Sequence, residues 1–456
     1  MKKLIYIFFF YSSFTNSSQA QFESVSYDFS GSLSILNTNP GSLSNNQQAF
    51  GIPLLTNTQI FIGNSGFTPH QLLSEGSNFQ TNINSILSNL KNTDHSLVNT
   101  RYDLFNYVWE NKKGTWFQVG LYWMFDHFNY YPADLLRLAN EGNAPHIYKV
   151  YDLKYIASKT NFFQTIYFGT QSKINRNFTI GYRIKLYNGI ANIQSIKNTG
   201  EFYTTDGNNN YYIHHLKNIK LQLQTSGYNE NADFNYYLSK TFLGGNMGLG
   251  TDIGLTYQYN KRTQITASLL DIGFIFYSKN INNFSVTGNF QYEGVALQYS
   301  ENGNIDYWKD IKDEFDKNIS QKTNNNPYVS WQPTRFYTSI KYGFNNNRKK
   351  SCENFLNPNE DFNAFVGITG FAQWRPLKIH SGISAFYEQK WSPSFYTKIN
   401  LTADSFSNYS IGSGVLINIR SIQLYLMAEN IFSFSDLAKS SKNAIQFGIN
   451  WVKLKP

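Results

Sequence analysis

Eight polar side chains stand at alternating positions of otherwise apolar segments: Arg183, Lys185, Asp252, Arg335, Lys341, Lys378, His380 and Glu388. In an extended chain successive side chains point to opposite sides, so each of these faces away from its apolar neighbours. Charges gathered on one side must be paired or hydrated. Two chemistries fit. One is a ladder of ion pairs and water filling a polar interior. The other is a polar path, or a binding site for an anionic amphiphile such as a carboxylate. Other reactive residues offer less. His214 and His215 are adjacent, so on a strand they cannot share a metal, and no Cys/His spacing suits zinc. His127 follows Asp126, and His380 is a candidate base, but neither sits in a recognisable catalytic motif. Cys352 is alone in a polar stretch, which excludes an intramolecular disulfide framework. Gly248, Gly250 and Gly254 alternate with apolar residues. No Lys-Ser/Thr follows and no helix begins there, so they are not a phosphate loop; they make room for something to approach a strand closely. No catalytic residue, metal or cofactor is expected.

The elements that must carry these residues are long strands with one apolar and one polar face. Phe117, Val119, Leu121, Trp123 and Phe125 alternate with Gln118, Gly120, Tyr122 and Met124. Phe178 to Tyr187, Met247 to Tyr257, Arg335 to Tyr342 and Leu377 to Glu388 repeat the pattern. The last segment sets Ile445, Phe447, Ile449 and Trp451 against Gln446, Gly448 and Asn450, and would close the sheet on its first strand. Segments of about 10–14 residues suit a tilted membrane crossing, with apolar side chains to lipid and polar ones to a lumen. Turn residues such as Asn175-Arg176-Asn177 and Asn260-Lys261-Arg262 separate them. We count about fourteen such segments beyond residue 95. The long gaps (190–210, 299–332, 346–360) do not fall on one side with that count, so a strand is miscounted. Asp271 falls on an apolar face, which requires a strand end or a bulge.

Three stretches have helical spacing: Ile83, Ile86, Leu87 and Leu90; Ala133 to Asn140, between Pro132 and Gly142; and Ile305, Trp308, Ile311 and Phe315. They are expected at a barrel mouth or inside it, the first as a possible plug. At the start of the chain, Lys2 and Lys3, the apolar run Leu4 to Tyr11, and Ser18-Gln19-Ala20 form a secretory signal peptide cleaved before Gln21. Aromatic residues are abundant (Tyr 33, Phe 38, Trp 8) against 4 Met and 1 Cys, which suits a membrane interface. The net charge of +9 is scattered rather than clustered, which argues against nucleic acid and fits lipopolysaccharide phosphates or solvated loops.

Asn39-Pro40-Gly41-Ser42-Leu43 resembles the Asn-Pro-Ala motif near the mature N-terminus of the fatty-acid-transporter (FadL-like) barrel superfamily, with Gly41 in place of Ala. The resemblance implies a hatch folded into the barrel, carried by Asn39, Pro40 and Gly41. Further strings are similar to an uncharacterised family of Bacteroidota outer-membrane proteins: Gly51-Ile52-Pro53-Leu54, Asn64 to Phe67, Tyr131 to Leu136, Gly181 to Lys185, Gly248 to Gly254 and Leu269 to Phe274. That resemblance implies a FadL-like barrel in the outer membrane of a Gram-negative bacterium and carries no activity. The expected plan is therefore a signal peptide (1–20), an N-terminal segment with a hatch, a short helix and a candidate first strand (21–95), and an all-β transmembrane antiparallel barrel of about 14 strands (96–456). The expected function is passive uptake of small hydrophobic or amphipathic compounds. The rival is a non-transporting barrel, an anchor or partner of a secretion or surface-assembly complex of the type IX kind. A lipid-acting enzyme ranks last.

Overall fold

The computed structural model describes residues 23–42, 46–73, 78–208, 211–228, 234–241, 245–293, 307–346 and 362–454. The expected signal peptide, Cys352 and Ile305 lie outside the described residues. In chain order the strands are β1 (Asn46–Gly51), β2 (Asn57–Asn64), β3 (His95–Glu110), β4 (Trp116–Tyr130), β5 (Tyr151–Asp152), β6 (Ser158–Lys173), β7 (Phe178–Ser195), β8 (Thr199–Asp206), β9 (Tyr212–Ser226), β10 (Asn246–Gln258) and β11 (Thr263–Tyr277). They continue as β12 (Asn283–Tyr292), β13 (Ile319–Asn324), β14 (Tyr328–Trp331), β15 (Arg335–Asn346), β16 (Phe362–Trp374), β17 (Ile379–Ser392), β18 (Phe395–Ala403), β19 (Ser410–Ile419), β20 (Ile422–Glu429) and β21 (Lys442–Leu454).

β1 and β2 are two halves of one wall, because both pair with β21 on one side and β3 on the other. β14 and β15 likewise share β11. From β3 the ladders run through β4, β6, β7, β10, β11, β15, β16, β17, β18, β19, β20 and β21. The result is a closed antiparallel barrel of 14 strands. Closure matters physically, since an open edge would leave backbone N–H and C=O groups without partners in an apolar surrounding. The last strand does close the sheet, and its partner is the β1/β2 wall. The first of the fourteen walls thus lies before residue 95.

Side-chain alternation sorts the two faces as the sequence requires. Ile184, Ile368 and Leu426 point outward, 66%, 54% and 52% exposed, while Arg183, Lys185, Gln423 and Tyr425 beside them are buried inside. Trp374 and Trp331 stand outward near one rim, and Trp391 and Trp451 near the other. The continuous apolar exterior with aromatics toward both ends is the pattern of a barrel set in lipid.

Most of the long connections lie at one end of the barrel, with the β15–β16 connection as the exception. Residues 65–94, 131–157, 196–245, 278–327 and 430–441 join walls at one end, hereafter the loop end. Tight turns at 111–115, 174–177, 259–262 and 420–421 join them at the other. The long gaps lie at both ends of the barrel. β9 and β12 alternate like walls but form, with β5, β8 and β13, a separate sheet at the loop end. That sheet is tied to the barrel where Asn192–Gln194 of β7 pair with Gln224–Ser226 of β9. Of the three gaps, 190–210 and 299–332 fall at the loop end, and 346–360 joins β15 to β16 at the turn end.

Asp271 marks a bulge. The β10–β11 register jumps between Thr251 and Ile253, and Asp271 has φ 59°. Two consecutive residues, Leu270 and Asp271, are thereby buried on the inner side.

Candidate functional site

The lumen is occupied by the chain's own N-terminal segment. Residues 23–42 are almost wholly buried, although they carry seven serines or threonines between Ser24 and Ser42 and no strand periodicity. Their backbone makes one four-residue helical turn, α1 (Ile35–Thr38), and otherwise turns. A non-periodic chain inside a barrel cannot satisfy its backbone with a ladder, so the wall's side chains do it. Gln423 accepts from Leu33 N at 3.0 Å and donates to Gly31 O at 2.9 Å. Arg183 donates to Leu36 O at 2.6 Å, Ser268 to Thr38 O at 2.6 Å and Thr256 to Gly41 O at 2.8 Å. Glu429 accepts from Ser24 N at 2.8 Å.

Asn39, Pro40 and Gly41 lie against the inner faces of β7 and β10. A Cβ at Gly181 would run into the Pro40 carbonyl, and one at Gly254 into the Asn39 side chain. The wall glycines therefore supply the close approach that their sequence pattern suggested. Gly248 and Gly250 serve the wall itself, lying under the β11 backbone with Ile275 and under the Tyr187 ring. Gly41 is equally constrained. A Cβ there would meet the Gly254 carbonyl, which gives a physical reason for glycine where the FadL-like motif has alanine.

The buried charges balance. Among the described residues nine cations are buried (Arg101, Lys159, Arg183, Lys185, Arg335, Lys341, Arg375, Lys398, Lys442) and nine anions (Glu23, Asp28, Asp103, Asp126, Asp252, Asp271, Glu388, Asp404, Glu429). Two of the anions, Glu23 and Asp28, belong to the N-terminal segment, so the wall alone carries an excess of two positive charges. One network gathers four of the sequence candidates: Arg183 to Asp252 at 3.2 Å, Lys185 to Asp252 at 2.7 Å and Asp271 at 2.5 Å, and Arg335 to Asp271 at 2.6 Å and Glu23 at 2.9 Å. A second joins Lys341 to Glu388 at 3.2 Å and to Asp28 O at 3.0 Å. His380 belongs to neither and sits toward the loop end. Lys378 is not in the lumen; it lies half-exposed in the turn before β17, where the strand and its alternation have stopped. Alternation also places Arg101, Asp103 and Lys398 inside, a signal available in the sequence and not taken up. Glu23 and Asp28 had no such signal, because their segment has no period.

Toward the loop end the barrel is filled a second time. Arg375, in the turn between β16 and β17, makes two bonds to Asp126 of β4, at 2.6 and 2.7 Å. Tyr130 donates to Pro376 O at 2.8 Å, the His95 and His380 rings stand 4.3 Å apart, and Phe406 packs on Phe61. A second cluster of Tyr122, Phe163, Tyr187, Ile275, Tyr277 and Tyr328 packs together on other walls.

Outside the rim, after the short helix α2 (Pro69–Leu73), helices α3 (Phe79–Asn89) and α4 (Ala133–Glu141) pack through Leu87, Leu90 and Ala133. Helix α3 therefore does not plug the barrel; Arg137 of α4 donates to Leu87 O and Leu90 O and holds it at the rim. Burial works against ionisation of Asp134, but Lys149 at 2.6 Å, Asn92 and Arg137 outweigh it and hold its carboxyl below the usual range. From the third helical stretch, Phe315 packs edge-on against Phe290 of the outer sheet. One face of that sheet and the end of α4 enclose a cleft of about 340 Å³, lined by Leu138, Gly142, Asn143, Phe202, His214, Leu216, Phe290 and Tyr292. His214 faces this cleft, and His215 stacks on Tyr203 at 4.5 Å on the sheet's other side. Asp126 and His127 also part, one inward and one outward. A serine does lie near a histidine: Ser65 Oγ is 3.3 Å from His95 Nδ1. Yet that hydroxyl donates to Asp94 and accepts the His95 backbone N–H, which is the bonding of a turn, with the carboxylate on the serine rather than on the imidazole.

The fold and its filled lumen define a class, the closed and internally plugged β-barrel. The chain belongs to a family of unknown function (DUF5723), matched over residues 40–429. No curated protein sequence matches it. Among solved structures it is similar to the toluene transporter TbuX of Ralstonia pickettii, at 10% identity and TM-score 0.41, covering 97% of this chain and 100% of that one. A FadL homologue of Pseudomonas aeruginosa aligns at 8% identity and TM-score 0.43, over 92% and 94%. The translocator domain of the autotransporter NalP from Neisseria meningitidis aligns at 7% and 0.30, over 90% and 89%. Likeness at this level says nothing of what this chain carries.

Proposed function

We propose that the protein is an outer-membrane barrel that admits small hydrophobic or amphipathic compounds passively, with residues 23–42, and Asn39, Pro40 and Gly41 in particular, as its hatch. The observation that carries the reading is the aromatic cleft at the loop end of an apolar-belted barrel. A concave, mostly apolar site with a few polar groups is what a small organic molecule needs, and His214 and Asn143 supply the polar groups here. The belt and the gathering of most long connections at one end favour an outer-membrane setting with the loop end outside. Outer-membrane lipid and lipopolysaccharide would then surround the belt and loops. The hatch role is supported by how the segment is held. Wall side chains hold it by hydrogen bonds and ion pairs and by apolar packing of Val25, Tyr27, Phe29, Leu33, Ile35 and Leu36, and residues 23–42 take no part in the ladders that close the barrel.

The test is uptake of a panel of neutral apolar and amphipathic compounds by cells with and without the protein, repeated with Phe202→Ala and Phe290→Ala in the cleft. Faster uptake of part of the panel, reduced by the cleft variants, is expected. Uptake that is equal across the panel would overturn the reading. It would favour the second one, an anchor or partner in a secretion or surface-assembly complex, which the densely filled lumen and the outer sheet support.

A further inference from the structure

We infer that the axial route through this barrel has a second gate, separate from the N-terminal segment, and that the Arg375–Asp126 ion pair is its latch. The argument begins with topology. Asp126 sits on β4, the third wall, and Arg375 directly follows β16, the ninth, in the turn to β17, the tenth. In a ring of 14 these positions are six to seven places apart, on opposite sides. Two bonds of 2.6 and 2.7 Å between them therefore require the 375–378 turn to fold inward across the mouth.

The crossing is held at several points. The guanidinium of Arg375 lies over the Phe128 ring, 4.9 Å from its centre, and also donates to Gln373 at 3.1 Å. Tyr130 caps Pro376 O. Beside the turn, the 404–409 loop brings Phe406 onto Phe61 and His95, and Lys442 pairs with Asp404. None of these contacts involves residues 23–42. The N-terminal segment engages Glu388, Lys398, Gln423, Arg183, Thr256 and Glu429, and of this set Glu429 alone reaches the crossing's neighbouring loop, through Lys442 at 3.6 Å. Withdrawal of that segment would thus leave the turn in place, and opening the turn would leave the segment in place.

A charge pair buried on both sides makes a two-state latch. Neither Arg375 nor Asp126 can be left alone in the closed state, because an unpartnered buried charge is strongly unfavourable. In the open state both reach water. Asn99 also donates to Asp126, at 2.8 Å.

Conductance of the full-length barrel in planar bilayers tests this, and it reads the opening whether or not any apolar compound is a cargo. Four proteins are compared: native, E23Q/D28N to loosen the N-terminal segment, R375A, and the three substitutions together. Losing one partner of a buried pair shifts such an equilibrium by more than about tenfold. The combined variant is therefore expected to conduct about tenfold more than either parent. The exchange R375D/D126R, added to E23Q/D28N, should restore low conductance, which a merely misfolded mouth would not. The inference fails if E23Q/D28N alone conducts as well as the combined variant, if the combined variant stays closed, or if the exchange remains open.

Discussion

At the scale of single residues, the most informative contact is between two glycines. Gly41 and Gly254 meet because neither has a Cβ, and Gly181 gives the same clearance to Pro40. Replacing Gly41 by alanine restores the FadL-like string but drives a methyl group against a carbonyl of β10. A strained contact of this kind costs about 1–3 kcal/mol. Gly41→Ala should therefore lift residues 39–42 from the wall, seen as faster hydrogen exchange there with the barrel strands unchanged. Unaltered protection of those amides would show that the clearance is not needed. Part of this was legible beforehand, since the alternating glycines of β10 implied a close approach. What approached was not legible, because the approaching chain has no period to align.

At the scale of the elements, the bulge in β11 decides where a charge goes. Read with strict alternation, Asp271 falls among lipid-facing residues. One extra residue in the strand turns it inward, where it meets Lys185 at 2.5 Å and Arg335 at 2.6 Å. Asp271→Ala leaves Arg335 with Glu23 alone from the N-terminal segment and removes one of two partners of Lys185. Breaking a buried pair in this way costs about 3–5 kcal/mol. The unfolding midpoint in denaturant should fall accordingly in detergent-solubilised protein, and a midpoint within error of native would refute the account. The anomaly of a charge on the wrong face signalled the bulge. Its alternative, an early strand end, could be dismissed only by the ladder continuing past it to Ile275.

The outer sheet teaches the complementary lesson. β9 and β12 have the length and alternation of walls, yet they pair with each other and with β8 and β13 above the rim. Alternation reports that two faces differ. It does not report whether the apolar face meets lipid or another layer of protein. Phe202, Leu216 and Phe290 meet α4 and the cleft instead.

For the molecule as a whole, the inside and outside are chemically inverted relative to a water-soluble fold. Among the described residues eighteen charged side chains are buried, and isoleucine, leucine and tryptophan cover the exterior. Ile184→Arg places a cation at an outward position near the middle of β7. In lipid that costs about 2–4 kcal/mol, and in water close to nothing. Folding stability measured in phospholipid vesicles should fall by that amount, while a stability equal to native would sink the membrane reading. The inversion also explains why the N-terminal segment is rich in serine and carries Glu23 and Asp28. A lumen lined with an excess of cations needs a plug that is polar and acidic.

The strands, their two-faced character and the inward direction of Arg183, Lys185, Asp252, Arg335, Lys341 and Glu388 were determined by the sequence, because a period of two is a local property of the extended chain. So was the count of walls to within the confusion caused by the outer sheet. The tertiary structure decided the rest. It made β1 and β2 the wall that completes the ring, left Lys378 in the turn just before β17 rather than on the strand, and set Arg375 against Asp126 across the mouth. It also brought Glu23 and Asp28 to the charges they neutralise. These are contacts between residues hundreds of positions apart, and only closure of the barrel brings them together.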